Sequence, residues 1–175
     1  MAERRRWFDR QFELGVSEDN FPGIVDRVRS TPARMAEIVK PVSQEVLVGS
    51  GDGSWSIQEN VGHLLDLEPL WLGRLEDVLA GAERLRPADL ENRKTHEAGH
   101  NETDMDSVLA RFRDARMTTV ARLEQISDES LKLTSLHPRL EQAMSAVDLF
   151  YFVAEHDDHH LTRISEIIEA RGSDA

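Results

Sequence analysis

The 175-residue sequence contains no cysteine, which excludes disulfides, thiolate metal sites and a cysteine nucleophile. Any metal must therefore be held by nitrogen and oxygen. The absence fits the cytosol, where the chain is expected to reside. No apolar run approaches the roughly 20 residues needed to cross a bilayer, so no membrane span is expected. The opening MAERRRWFDRQFELG also lacks the apolar core of a signal peptide, because Asp9, Gln11 and Glu13 interrupt it. Basic residues are outnumbered 21 to 33, and the net charge of −12 repels phosphate backbones, so no nucleic-acid partner is expected. The Arg4 to Arg6 cluster is too small to reverse that and reads as a solvated terminus. Sustained period-2 alternation is missing as well, which leaves no convincing strand and predicts an all-α fold.

What is present is helical. With 39 % hydrophobic residues, the length suits one domain over 1–175 built on a single core. A first helical region is predicted over about Glu18 to Lys40, carrying Ile24, Val25, Val28, Met35, Ile38 and Val39, with Pro32 expected to break or kink it. Gly49 to Gly53 reads as a turn. A second helix opens at Ser56, where Glu59 three residues on completes a capping box. It runs to near Gly81, and Pro69 predicts a kink. Residues 82–101 are polar, without an apolar stripe, and read as a long crossover that lets helices two and three run parallel. A third helix is expected over about Thr103 to Ile126, and a fourth over about Gln142 to Ala170 after a loop through His137-Pro138.

The fourth helix carries the densest chemistry, EHDDHHLTRISEI at 155–167. His156 and His160 are four apart and project from one side, where they can point at one ion, whereas His159 is expected to face solvent. His63 flanks the stripe of the second helix, with Leu67, Leu70 and Asn60 beside it, and could look into the same crevice. Three neutral imidazoles would make a site suited to zinc, nickel or ferrous iron, completed by water. Asp157 is the polar member of an otherwise apolar stripe and needs a partner. Two roles are open to it: orienting a metal-bound imidazole, most easily His63 across the bundle, or pairing with a neighbouring helix.

Rival motifs fare worse. HEAGH at 96–100 matches H-E-x-x-H, but Gly99 lies inside it and polar residues flank it, so His96 and His100 are not expected to ligate a metal. Glu97 to His100 is the clean E-x-x-H, in the same connection, so a ferritin-like di-metal centre lacks its ligands. His137-Pro138-Arg139 reads as a helix-entry turn, with a pocket-lining histidine as the other option, and Trp55, Trp71 and Tyr151 read as packing groups.

The segments WSIQENVGHL (55–64), LEPLWLGRLEDVLAG (67–81) and AEHDDHHLTRI (154–164) resemble the DinB-like family of metal-binding four-helix bundles, in order and over nearly the whole chain. The resemblance implies an up-down-down-up bundle with its long connection between helices two and three. It maps the family's metal-holding histidines onto His63, His156 and His160, and its acidic position onto Glu59, a candidate acid/base group whose capping role explains it equally well. It further implies a divalent-metal-dependent enzyme, a thiol-dependent S-transferase or isomerase or a hydrolase, acting on a small electrophile with a low-molecular-weight thiol as co-substrate. A non-catalytic metal-binding bundle that binds a ligand or partner in a stress response is the alternative, and a homodimer is left open.

Overall fold

The computed structural model describes residues 6–50 and 54–172, so Arg4, Arg5 and the 51–53 part of the expected glycine turn lie outside the described residues. The chain forms helices α1 (Phe21–Val39), α2 (Gln44–Val48), α3 (Ile57–Leu79), α4 (Arg93–Glu97), α5 (Met105–Leu123) and α6 (Ala146–Gly172). Strands β1 (Thr134–Leu136) and β2 (Ala143–Ser145) form a small antiparallel hairpin before α6.

The four long helices make the bundle, and their cross-links give its winding. Arg116 meets Glu68 at 2.8 Å and, further along both helices, Arg122 meets Glu76 at 2.6 Å, so α5 runs parallel to α3. Arg27 with Glu155 and Arg34 with Asp158 make α1 parallel to α6 in the same way. Between α3 and α6 the order reverses: Asn60 reaches His160, whereas Trp71 lies beside Phe152. This is the up-down-down-up bundle, and the parallel α3–α5 pair requires the long connection that the sequence predicted. The connection is not featureless. It holds α4 and a single 3₁₀ turn at His100–Glu102, separated by Gly99 in the left-handed region (φ +63°).

Local signals fix the helix starts. Ser56 Oγ accepts from the Glu59 N–H (3.0 Å) while Glu59 Oε2 accepts from the Ser56 N–H (2.7 Å), the capping box expected from the sequence. A second box, overlooked in the sequence, opens α6: Ser145 Oγ accepts from the Asp148 N–H and Asp148 Oδ2 from the Ser145 N–H, each at 3.1 Å. Its signature is Ser145-Ala-Val-Asp148, and it moves the helix start from the expected Gln142 to Ala146. The other Asp148 oxygen accepts from the N–H groups of Gly15 (2.7 Å) and Val16 (2.9 Å), which ties the N-terminal segment to the bundle.

Two expectations are corrected. Strands of three residues are too short to show alternation, so the hairpin was invisible in the sequence. Pro32 does not break α1, which is continuous over 19 residues. Proline has no N–H for the Val28 carbonyl four residues back, and Arg116 Nη1 supplies one instead, donating to Val28 O at 2.8 Å.

That contact belongs to a buried polar layer which divides the core. Above it pack Val28, Trp71, Leu75, Val120 and Phe150; below it Met35, Leu64, Phe112, Leu161 and Ile164. Arg116, fully buried, donates to Glu68 Oε1 (Nε, 2.8 Å) and to both Asp157 oxygens (Nη1, 2.5 Å; Nη2, 3.1 Å). Thr31 donates to Asp157 Oδ2 at 2.8 Å and Thr119 to Glu68 Oε2 at 3.1 Å, so each helix of the bundle contributes. Burial works against the guanidinium charge, but Asp157 and Glu68 outweigh it and raise the Arg116 pKa, while burial raises that of Glu68.

Candidate functional site

Beside this layer, α3 and α6 bring three histidines together. His63, His156 and His160 are all buried, and one nitrogen from each lies within 4.8 Å of the others. Ring centres are 4.6 Å apart for His156 and His160, 5.0 Å for His63 and His160, and 5.5 Å for His63 and His156.

Hydrogen bonds set the faces these rings present. Asn60 donates through Nδ2 to Ser56 O (2.7 Å), which leaves its Oδ1 to accept from His160 Nδ1–H at 2.9 Å. The lone pair of the His160 ring is then on Nε2. His63 Nδ1 lies 3.0 Å from Thr95 Oγ1, and Thr95 is close enough to Asp66 to help lower its pKa. With its hydroxyl turned to that carboxylate Thr95 accepts from the ring, the tautomer in which His63 has its lone pair on Nε2. His156 Nδ1 is buried without a hydrogen-bond partner. Burial, the largest cause, pushes His63 down to about 4, opposed by the charge of Asp66 and reinforced by His100 and His96, and burial likewise pushes His156 well below its ordinary value. Neutral imidazoles with available lone pairs fit a divalent cation.

Asp157 is a correction. Its oxygens go to Arg116 and Thr31, the neighbouring-helix alternative, and the group bonded to His63 Nδ1 is Thr95, which the sequence reading did not single out. Nothing in the sequence links Thr95 to His63, because the connection that carries it has no pattern. Glu59 stands in the capping box and does not line the cavity. His159 is half-buried with its ring 5.6 Å from Trp7, so it does not simply face solvent. The HEAGH histidines part company at Gly99: His96 is exposed, with its ring 5.7 Å from Trp55, and His100 is buried against Asp66 (Nε2–Oδ2 2.8 Å). Burial raises the Asp66 pKa, but His100, Thr95 and Lys94 outweigh it and hold the carboxyl below its ordinary value.

The imidazoles line a cavity of about 470 Å³. Leu67, Leu70, Trp71, Phe152 and Trp55 give it mainly apolar walls, and Trp7 packs edge-on against His156 with centres 4.8 Å apart. Trp55 and Trp71 are thus both packing groups and cavity wall. His137 lines the cavity too, which settles the open choice for that residue: the hairpin carries it in.

An up-down-down-up bundle with histidines from α3 and α6 gathered at one cavity is the arrangement that the sequence resemblance implied. The chain belongs to the DinB superfamily, whose sequence profile matches residues 27–164. No curated protein matches the chain by sequence. Among solved structures, YfiT from Bacillus subtilis, described as a probable metal-dependent hydrolase with an unusual four-helix bundle topology, is similar at a TM-score of 0.80. It is 20 % identical, with 93 % of this chain and 94 % of that one covered. A mycothiol-dependent maleylpyruvate isomerase is similar at a TM-score of 0.65 and 10 % identity over 81 % of this chain and 59 % of its own. ClbS, a colibactin self-resistance protein solved in complex with double-stranded DNA, gives a TM-score of 0.64 at 13 % identity over 85 % and 95 %. No helix among the described residues is long and apolar enough to cross a membrane.

Proposed function

We propose that His63, His156 and His160 hold one divalent metal ion, zinc, nickel or iron, and that the chain is a metal-dependent enzyme acting on a small electrophile in the adjoining cavity. The observation that carries this reading is the meeting of three buried imidazoles, two of them turned by Asn60 and Thr95 to keep their lone pairs on Nε2, at an apolar cavity. Bound there, such an ion acts as a Lewis acid and makes water or a thiol more acidic. The chain supplies the rest: Asn60 and Thr95 orient rings, and Trp7, Trp55 and Trp71 exclude bulk water. A thiol has to come from outside, since the sequence has no cysteine, and the mycothiol-dependent isomerase of the same fold makes a low-molecular-weight thiol the co-substrate to try first. The hydrolase reading drawn from YfiT uses water in the same place.

One observation favours a non-catalytic bundle instead. Glu59 is committed to its cap, and Asp89, the carboxylate that lines the cavity, accepts from Arg93. Double-stranded DNA, the partner seen with ClbS, suits a chain of net charge −12 poorly. A homodimer remains a further proposal.

Elemental analysis of untagged protein decides the first point: about one metal per chain, lost in His156→Ala and kept in His159→Ala. Equal retention in the two variants sinks the metal assignment. A screen of electrophiles with thiols or water, metal-loaded against stripped, then separates an enzyme from a binding bundle by metal-dependent turnover.

A further inference from the structure

The cavity has a second polar corner, in which donors outnumber acceptors. Arg74, 2 % exposed, donates through Nε to Arg86 O (3.0 Å), and its Nη1 lies 3.1 Å from His137 Nε2. His137 Nδ1 lies 3.2 Å from the backbone N–H groups of both Arg139 and Leu140. A neutral imidazole has one accepting nitrogen. If Nδ1 accepts from the backbone, Nε2–H faces the Arg74 guanidinium; if Nε2 accepts from Arg74, Nδ1–H faces two N–H groups. Either tautomer leaves a donor against a donor. Protonation offers no escape, because burial, Arg74 and Arg139 push the His137 pKa down to about 4.

The surrounding groups share the deficit. Arg139 Nη2 and Trp71 Nε1 are buried without hydrogen-bond partners. The Arg74 guanidinium lies 5.7 Å from the centre of the Trp71 ring, and that of Arg139 lies 5.1 Å from the centre of Phe8. Among the described residues neither arginine makes an ion pair, and Asp77 is held by Arg86 through Nε (2.9 Å) and Nη2 (2.7 Å). Asp77 acts on Arg74 only from a distance, and a buried guanidinium without a bonded counter-ion is costly; a fork of donors matches a planar two-oxygen anion.

We propose that Arg74, His137 and Arg139 form a subsite for the carboxylate of an elongated small molecule whose apolar body lies along Leu70, Trp71 and Phe152. With that carboxylate in place, His137 keeps Nδ1 as the acceptor of the backbone N–H groups and donates Nε2–H to the anion, and the donor conflict disappears. Arg74 is eleven residues beyond His63 on α3, about 16 Å along the axis, so a ligand touching both ends must be long. That the same molecule reacts at the imidazoles rests on the proposed function; carboxylate binding at this corner does not.

The test uses the full-length, metal-stripped chain and isothermal titration with 4-phenylbutyrate, its primary amide and phenylbutyl phosphate. The acid is expected to bind at least about tenfold more tightly than the amide. Arg139→Gln, a half-buried position less prone to unfold than Arg74, should bring the acid down to the affinity of the amide, and Arg113→Gln, the same change of charge at an exposed position outside the cavity, should bind it like the parent. Equal affinity for acid and amide, or an unchanged affinity in Arg139→Gln, overturns the subsite. Tighter binding of the phosphate than of the acid overturns the choice of carboxylate. Loss of the metal assignment with acid discrimination intact would remove the proposed function and leave this corner standing.

Discussion

At the scale of single residues, burial sorts ionisable groups into two kinds. Those of the polar layer are matched donor to acceptor, as Arg116 is by Glu68, Asp157 and Val28 O; of those facing the cavity, His156 and Arg139 are each left with an unmet nitrogen. Different losses should follow from substitution. Asp157→Asn breaks a buried ion pair and is expected to cost about 3–5 kcal/mol of stability, seen in urea unfolding, with metal affinity in the surviving folded protein unchanged. Thr95→Val removes the acceptor of His63 Nδ1–H and should do the reverse: a small change in unfolding midpoint and a metal affinity weakened about 10- to 100-fold in chelator competition. The histidines of α6 were legible because i, i+4 spacing on a helix is geometry. Thr95 was not, since it reaches His63 from a segment whose path no periodicity reveals.

At the scale of elements, the long helices could be read from their stripes and from the Ser56 box, whereas the short pieces could not. The hairpin and α4 are each defined by what they pack on: Leu85 N–H donates to Leu136 O (3.0 Å) and Leu136 N–H to Glu83 O (2.9 Å), which pins β1 to the start of the connection. The later part of that connection is held by His100 lying over Gly62 of α3, where a side chain would run into the imidazole ring. Gly62→Ala should therefore dislodge His100 from Asp66 and cost about 1–3 kcal/mol, with amide exchange accelerated over residues 93–102 ahead of the bundle helices. Uniform loss of protection along the chain would contradict this account. Pro32 shows the converse, a local rule overridden: a guanidinium on α5 satisfies the carbonyl that proline abandons.

For the whole molecule, the buried imidazoles make stability depend on pH. His63 and His137 are each pushed down to about 4 from 6.5, with burial the largest cause. Between those values the unfolded chain takes up protons that the folded chain refuses, so stability should fall as pH drops from about 6.5 to about 4 and their contribution should level off below that. Urea midpoints of the metal-stripped protein measured across this window should slope less steeply in His137→Gln. The polar layer has a different consequence for the molecule. Apolar helix faces are nearly interchangeable, and a bundle held by them alone could slide one helix past another by a turn, about 5.4 Å, at little cost. Arg116 forbids such a slip, because Glu68, Asp157 and the Val28 carbonyl, from three different helices, converge on its N–H groups at a single alignment. The same alignment sets His63 on α3 level with His156 and His160 on α6, so the layer indexes the helices whose side chains form the histidine cluster.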